Sequence, residues 1–321
     1  MKKTNLWSLK RSLKRSLRLS KGSKGSKVSL CLITLLIFTA CSSAPKRSMQ
    51  VSTVYSSASE MIESANGAIL TGDYDKAAFF LSAAETQAMS IDNYDLLSAV
   101  ALARCSLCLS YNPPKIEQAQ NQVELAQGYI KNCSNPAKQT SIVELSRVRV
   151  KVTSAGTTDA EKPNTSSLIS KLEENKKGVK GDPYYEAQFI QVSGDVYKLA
   201  DNYAEADKAY TAAAKAFTDN RYLSEIGICW YKAAQVRSLA GNKNSALAAM
   251  EQAIFYDRAA ENSMALGTDY YAVGLILLKG NADAAEKQKA ADSFNHSADI
   301  FASIKMDELA KRSRNAAKEL Q

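Results

Sequence analysis

A single histidine, six cysteines and scattered carboxylates are the groups in this chain that could carry chemistry. A Ser-His-Asp or Cys-His site would have to be built on His296, because no second imidazole exists to take a proton from a nucleophile. The Gly-x-Ser-x-Gly turn that exposes a hydrolase serine does not occur. His296 falls inside a helical stretch and reads as a surface or boundary side chain. Cys105 and Cys108 have CxxC spacing, but zinc needs a second pair or a nearby histidine. A redox CxxC places its first thiol at a helix N-terminus to lower its pKa, whereas these two lie in the middle of the run Leu96 to Tyr111. They read as small apolar packing residues. Gly178 and Gly181, among Lys176, Lys177 and Lys180, suggest a solvated turn and not a phosphate loop. With no carboxylate pair spaced for acid–base work, the expectation is no enzyme, no cofactor and no metal.

The elements that must hold any functional surface are helices. From about residue 60 onward alanine is frequent, proline is rare and strict apolar–polar alternation is nearly absent. Ala206, Ala209, Tyr210, Ala213, Ala214 and Phe217 recur at helical spacing and form one continuous apolar face. No long linker divides residues 60–321, so one extended all-α body is expected.

Internal similarity indicates how the helices are arranged. Gly72-Asp73-Tyr74-Asp75-Lys76-Ala77, Asp201-Asn202-Tyr203-Ala204-Glu205-Ala206 and Gly241-Asn242-Lys243-Asn244-Ser245-Ala246 are variants of one hexapeptide. Each is a tight polar turn that opens a helix on an alanine. Gly194, Tyr197, Ala206, Tyr210 and Ala213 surround the second copy, and Trp230, Ala233, Ala234, Ala246, Met250 and Ala253 the third. This pattern resembles the tetratricopeptide repeat. Small residues belong there because an aromatic ring packs closely only against alanine or glycine. Weaker copies run through Ala77, Leu81 and Ala84, through Ala119, Val123 and Ala126 after Pro113-Pro114, and through Tyr270, Gly274, Ala290 and Phe294.

The second-helix alanines are 42, 40 and 44 residues apart (Ala77 to Ala119, Ala206 to Ala246, Ala246 to Ala290), against about 34 in the standard repeat. The surplus suffices for about one extra turn per helix. Between Ala119 and Ala206 there is room for one degenerate repeat with a loop around Ala155 to Asn164. The expected fold is an all-α, α-α superhelix of about five long helix pairs, capped by a charged helix from Asp307 to Leu320. The resemblance implies a concave partner-binding face on the first helix of each pair. It would carry Gln188, Gln191, Asp195, Lys198, Tyr231, Gln235, Ser238, Thr268 and Tyr271, with inter-repeat packing as the alternative role for Tyr231 and Tyr271.

Ahead of this body stands a basic leader. Residues 1–27 hold ten Lys or Arg and no acid, and the first acidic residue is Glu60. Val28 to Ala40 is apolar but shorter than the roughly 20 residues a membrane-spanning helix needs, and it suits a signal-peptide core. The segment Leu36-Ile37-Phe38-Thr39-Ala40-Cys41, which closes this run, resembles the lipobox of bacterial lipoproteins. The resemblance implies that residues 1–40 are cleaved and that Cys41, diacylated, becomes the new N-terminus. An uncleaved anchor or an organelle transit peptide are the alternatives, and the apolar core with Ser42-Ser43 favours the lipoprotein. Residues 41–59, Ser-rich, read as a lipidated cysteine and flexible tether, and residues 60–321 as the repeat domain. Two acyl chains give stable anchoring without a transmembrane helix, and Ser42 suggests outer-membrane delivery, facing the periplasm. Removing the leader changes the charge from 41 basic against 33 acidic groups to 31 against 33. The apparent basicity therefore belongs to the leader and gives no support to nucleic-acid binding.

Export to an oxidising compartment raises the matter of Cys105, Cys108, Cys133 and Cys229. In a hairpin folded at Pro113-Pro114, Cys133 lies opposite about residue 93, roughly 18 Å of helix from Cys105. A disulfide needs Cα atoms within about 7 Å, so Cys133 is not expected to pair with Cys105 or Cys108. Together these readings describe a lipid-anchored scaffold that binds a protein or peptide partner in an envelope complex. The alternative is an accessory lipoprotein of a transport system, with a solute or hydrophobic ligand enclosed by Tyr184, Tyr185, Trp230, Tyr231, Tyr270 and Tyr271.

Overall fold

Seventeen-residue helices joined by three-residue turns are the unit from which this chain is built. The computed structural model describes residues 53–157 and 163–320. Its helices are α1 (Thr53–Leu70), α2 (Tyr74–Ser90), α3 (Tyr94–Ser110), α4 (Ile116–Tyr129), α5 (Pro136–Thr157), α6 (Thr165–Lys176), α7 (Pro183–Leu199), α8 (Tyr203–Asp219), α9 (Leu223–Leu239), α10 (Lys243–Ala259), α11 (Ser263–Leu278), α12 (Ala284–Ser303) and α13 (Asp307–Lys318). Six antiparallel pairs, α1–α2 through α11–α12, stack in order, and α13 closes the end. This is an α-α superhelix of tetratricopeptide-like pairs, one pair more than the sequence count, and among the described residues no strand occurs.

The turns explain the regularity. Seven of the helices are followed at once by a turn residue with positive φ: Gly72, Asp92, Asp201, Arg221, Gly241, Glu261 or Lys305. The next residue's N–H then reaches back five positions, as in Asn202 to the Tyr197 carbonyl and Asn242 to the Arg237 carbonyl, both at 2.9 Å. This closure satisfies carbonyls that a helix end leaves open. The same residue starts the following helix. Asp73, Asn93, Asp182, Asn202 and Asn262 each accept an N–H from the first turn with the side chain. One tripeptide thus ends one helix and opens the next, which is why the hexapeptides recur.

Within pairs, glycine on the first helix admits an aromatic ring from the second. A Cβ on Gly194 would stand 2.6 Å from the Tyr210 ring, and one on Gly274 would stand 2.4 Å from that of Phe294. Tyr210 and Phe294 are buried there. A third such contact, Gly267 against Phe301, lies in the same α11–α12 pair.

One boundary differs from the sequence reading. Residues 53–59, assigned to the tether by their serine content, form the first turns of α1. Ala58 is buried against α2 and α3 with Ala88, Leu96 and Leu97. A serine-rich stretch is helical when its few apolar residues meet a packing partner. The degenerate repeat is α5–α6, a 22-residue helix followed by a 12-residue one, with Asn164 capping α6. Helix α13 buries Ala310, Ser313 and Ala317, and the Ser297 and Ser313 hydroxyls meet at 3.0 Å. Among the described residues no helix is long and apolar enough to cross a membrane. Cys41 and the leader lie outside the described residues.

Candidate functional site

The first helices of successive pairs, called A helices, lie side by side, and their polar side chains bond from one repeat to the next. Asp195 on α7 accepts both carboxylate bonds from the Lys232 ammonium on α9, at 2.8 and 2.9 Å, and a third from the Tyr210 hydroxyl at 2.8 Å. One turn further, Lys198 donates to Gln235 Oε1 at 2.8 Å. On the other side Arg149 of α5 donates to the Gln188 amide oxygen. Lys279 donates to the Ser238 carbonyl. At the cap the Arg312 guanidinium lies 4.9 Å over the Tyr271 ring. Sequence separations of 37 to 41 residues span these contacts, so the chain's 40-residue period is written in its polar ladder as well as its core.

The nine residues expected on this face are therefore distributed. Asp195, Lys198 and Gln235 come together. Gln188 and Gln191 are only 5% and 4% exposed and sit in the contact between helices. Tyr231 is half-buried and bonded to Gln235, which opposes the rise that burial imposes on its phenol. Tyr271 packs on Phe294 with ring centres 5.1 Å apart. Thr268 returns its hydroxyl to the Met264 carbonyl of its own helix, and Ser238 offers its carbonyl. Arg149 and Lys232 are the residues that sequence reasoning missed. Arg149 lies on the degenerate repeat, where no hexapeptide sets a register, and Lys232 lies one position beyond the assigned Tyr231. Opposite charges 37 residues apart, Asp195 and Lys232, were the available signal.

A groove of about 470 Å³ opens on this face, floored by α5, α7 and α9. Its polar groups are Arg149, Asp195, Lys198 and Lys232, its rim is Asp201 and Tyr203, and its walls include Val152, Leu199 and Leu239. Burial pushes the Lys198 ammonium below its ordinary value, opposed by Asp195 and reinforced by Lys232. The aromatics proposed to enclose a ligand do not line one cavity. Tyr184 packs on Phe217 and Tyr222, Trp230 on the α9–α10 core, and Tyr270 edge-on against His296 at 4.2 Å.

Several titratable groups lie in the packing away from the groove. Cys105 and Cys229 are buried, and burial pushes each thiol up to about 12. Cys133 points its thiol at the Tyr94 carbonyl, 3.5 Å away, beside the position that the hairpin argument gave it. Asp257 on α10 and Asp269 on α11 are each 1% exposed. The two carboxyls face each other, and each is sensed by the other's titration. Burial raises both above the carboxylate range, and the Asp257 charge raises Asp269 further. The Asp257 carboxyl fills the space a Cβ on Gly227 would take. Among the described residues no group of three or more metal-ligating side chains occurs.

The same architecture is found in solved structures. A Rap protein complexed with Competence and Sporulation Factor superposes with a TM-score of 0.52, at 13% identity, over 82% of this chain and 77% of that one. Aspartyl phosphate phosphatase F from Bacillus subtilis gives 0.48 at 11% identity, over 98% of this chain and 88% of that one. The apo form of RapI gives 0.47 at 12% identity, over 82% and 97%. At such identities the likeness is one of fold. No protein-family model matches the sequence, and no curated protein matches it.

Proposed function

We propose that this chain is a non-catalytic scaffold, held in the cell envelope by lipid on Cys41, whose A-helix face binds a protein or peptide partner. The observation that carries the binding reading is the open groove between α5, α7 and α9, where Leu239 is 49% exposed beside charged side chains. Repeat solenoids use such extended faces for recognition. The Rap protein of similar fold is itself complexed with a factor, so solenoids of this class hold partners. His296, exposed and edge-on against Tyr270, and thiols kept protonated by burial support a role without catalysis. The lipobox-like segment ending at Cys41 supports the anchor, with outer-membrane delivery implied by Ser42.

Copurification of the full chain from membranes, followed by mass spectrometry, tests the reading. A protein partner is expected with the wild type and is expected to be lost with Leu239→Glu, which puts a charge on the groove wall. Equal recovery by both would remove the groove from the account. Labelled palmitate is expected on the wild type and absent from Cys41→Ala. Equal labelling would remove the anchor.

A further inference from the structure

We infer that the end of the body where α1 begins rests on the bilayer, with Tyr55, Met89 and Ile91 set into lipid at headgroup level. The inference rests on the anchor reading above and adds a second membrane contact, made by the folded body itself. Its basis is where these residues lie. Helices α1 and α2 pair antiparallel, so the start of α1 meets the end of α2, and there Ala58 is buried with Ala88, Leu96 and Leu97. Tyr55 lies one turn before Ala58, and Met89 and Ile91 come just after Ala88. All three are exposed, Met89 by 57%. The buried cluster thus continues outward into exposed apolar side chains at the same end.

Chain length identifies the occupant. Twelve residue steps separate Cys41 from Thr53, where α1 begins, and at about 3.3–3.6 Å each they span at most about 40 Å. Lipid on Cys41 therefore keeps this end of the body close to the membrane and makes its contact with lipid an intramolecular event. Three side chains are too few for a stable protein interface, which takes about 20–30 residues a side. A tethered surface needs far less area to stay down. Tyrosine suits the place, because its ring is apolar while its hydroxyl stays wet among the headgroups. Charge decides little. Glu60, Asp92 and Asp95 are the acids at this end, against Lys131 and the Lys46 and Arg47 that precede α1 in the sequence, so apolar contact carries the proposal.

The test places a fluorescent amino acid at position 89 or position 275 of the full chain, reconstituted in vesicles of phosphatidylethanolamine and phosphatidylglycerol with plain or brominated acyl chains. Leu275, 51% exposed near the C-terminal end of α11, is the control. Interfacial side chains sit about 5–10 Å into the headgroup boundary, within reach of bromine, so emission from position 89 is expected to fall at least about twofold in brominated vesicles. Emission from position 275 is expected to stay unchanged. Ile91→Asp is expected to restore the emission at 89, and Tyr55→Asp is a second variant should the first fail to fold. Equal emission from 89 in both vesicle types, with palmitate present on Cys41, would overturn the docking and leave the anchor standing. Equal quenching at 89 and 275 would overturn the footprint. A photo-crosslinker at 89 that captures a second copy or another protein in place of lipid would overturn the choice of occupant. A wild type without palmitate would overturn the anchor and this inference with it.

Discussion

Asp257 and Asp269 meet, buried, where pairs five and six pack together, and burial there favours a protonated pair. The folded chain binds a proton there more tightly than the unfolded chain, whose aspartates titrate at about 4. Their contribution is therefore fully present below that pH and is lost as pH rises through the elevated folded values. Tyr231 faces the pair from α9 and adds no positive charge to offset a second ionisation. Urea midpoints are expected to fall from pH 5 to pH 9, and Asp269→Asn to flatten that slope. A midpoint unaffected by the substitution at every pH would refute the protonated pair. The thiols give a second check at this scale. Native Cys105 and Cys229 are expected to resist alkylation at pH 8 and to react once denatured, since the thiolate is the reactive form. Sequence reading reached Asp195, Lys198 and Gln235 because the repeat fixed their register. It could not foresee that Gln188 and Gln191 would be buried: the neighbour that reaches Gln188 is Arg149 of α5, and α5 belongs to the one repeat without a turn signature.

At the scale of the helix, the turns were legible and the lengths followed from them. Gly72, Asp201 and Gly241 mark the positive-φ positions, and the asparagine or aspartate after each marks the next helix start. Asp92-Asn93 and Glu261-Asn262 carry the same asparagine cap without glycine, and Arg221-Tyr222 carries neither, so the second-to-first helix junctions stood out less although their geometry is the same. The packing rule makes opposite predictions for two helical glycines. Gly194→Ala drives a methyl into the Tyr210 ring and is expected to cost about 1–3 kcal/mol. Gly128→Ala on α4 meets nothing within 4 Å and is expected to stabilise by about 0.5–1 kcal/mol. Urea denaturation of the two variants separates them, and equal effects would contradict the close-packing account.

Across the whole molecule, one 40-residue repeat orders both the core and the A-helix ladder. It brings Arg149, Lys198 and Lys232 together from three separate repeats. That period was visible in the alanines at 206 and 246, whereas the convergence of three cations needed the relative rotation of the pairs, which no local pattern encodes. The central claim is that the face built by this convergence, and not the outer face of the second helices, meets the partner. Phe255, 61% exposed on α10, offers an apolar site on that outer face for comparison. The most direct measurement is a photo-crosslinking amino acid placed at Leu239 or at Phe255 of the full chain in membranes. A discrete protein adduct from position 239 and none from position 255 is the predicted result. An adduct from 255 alone, or from neither, would contradict it.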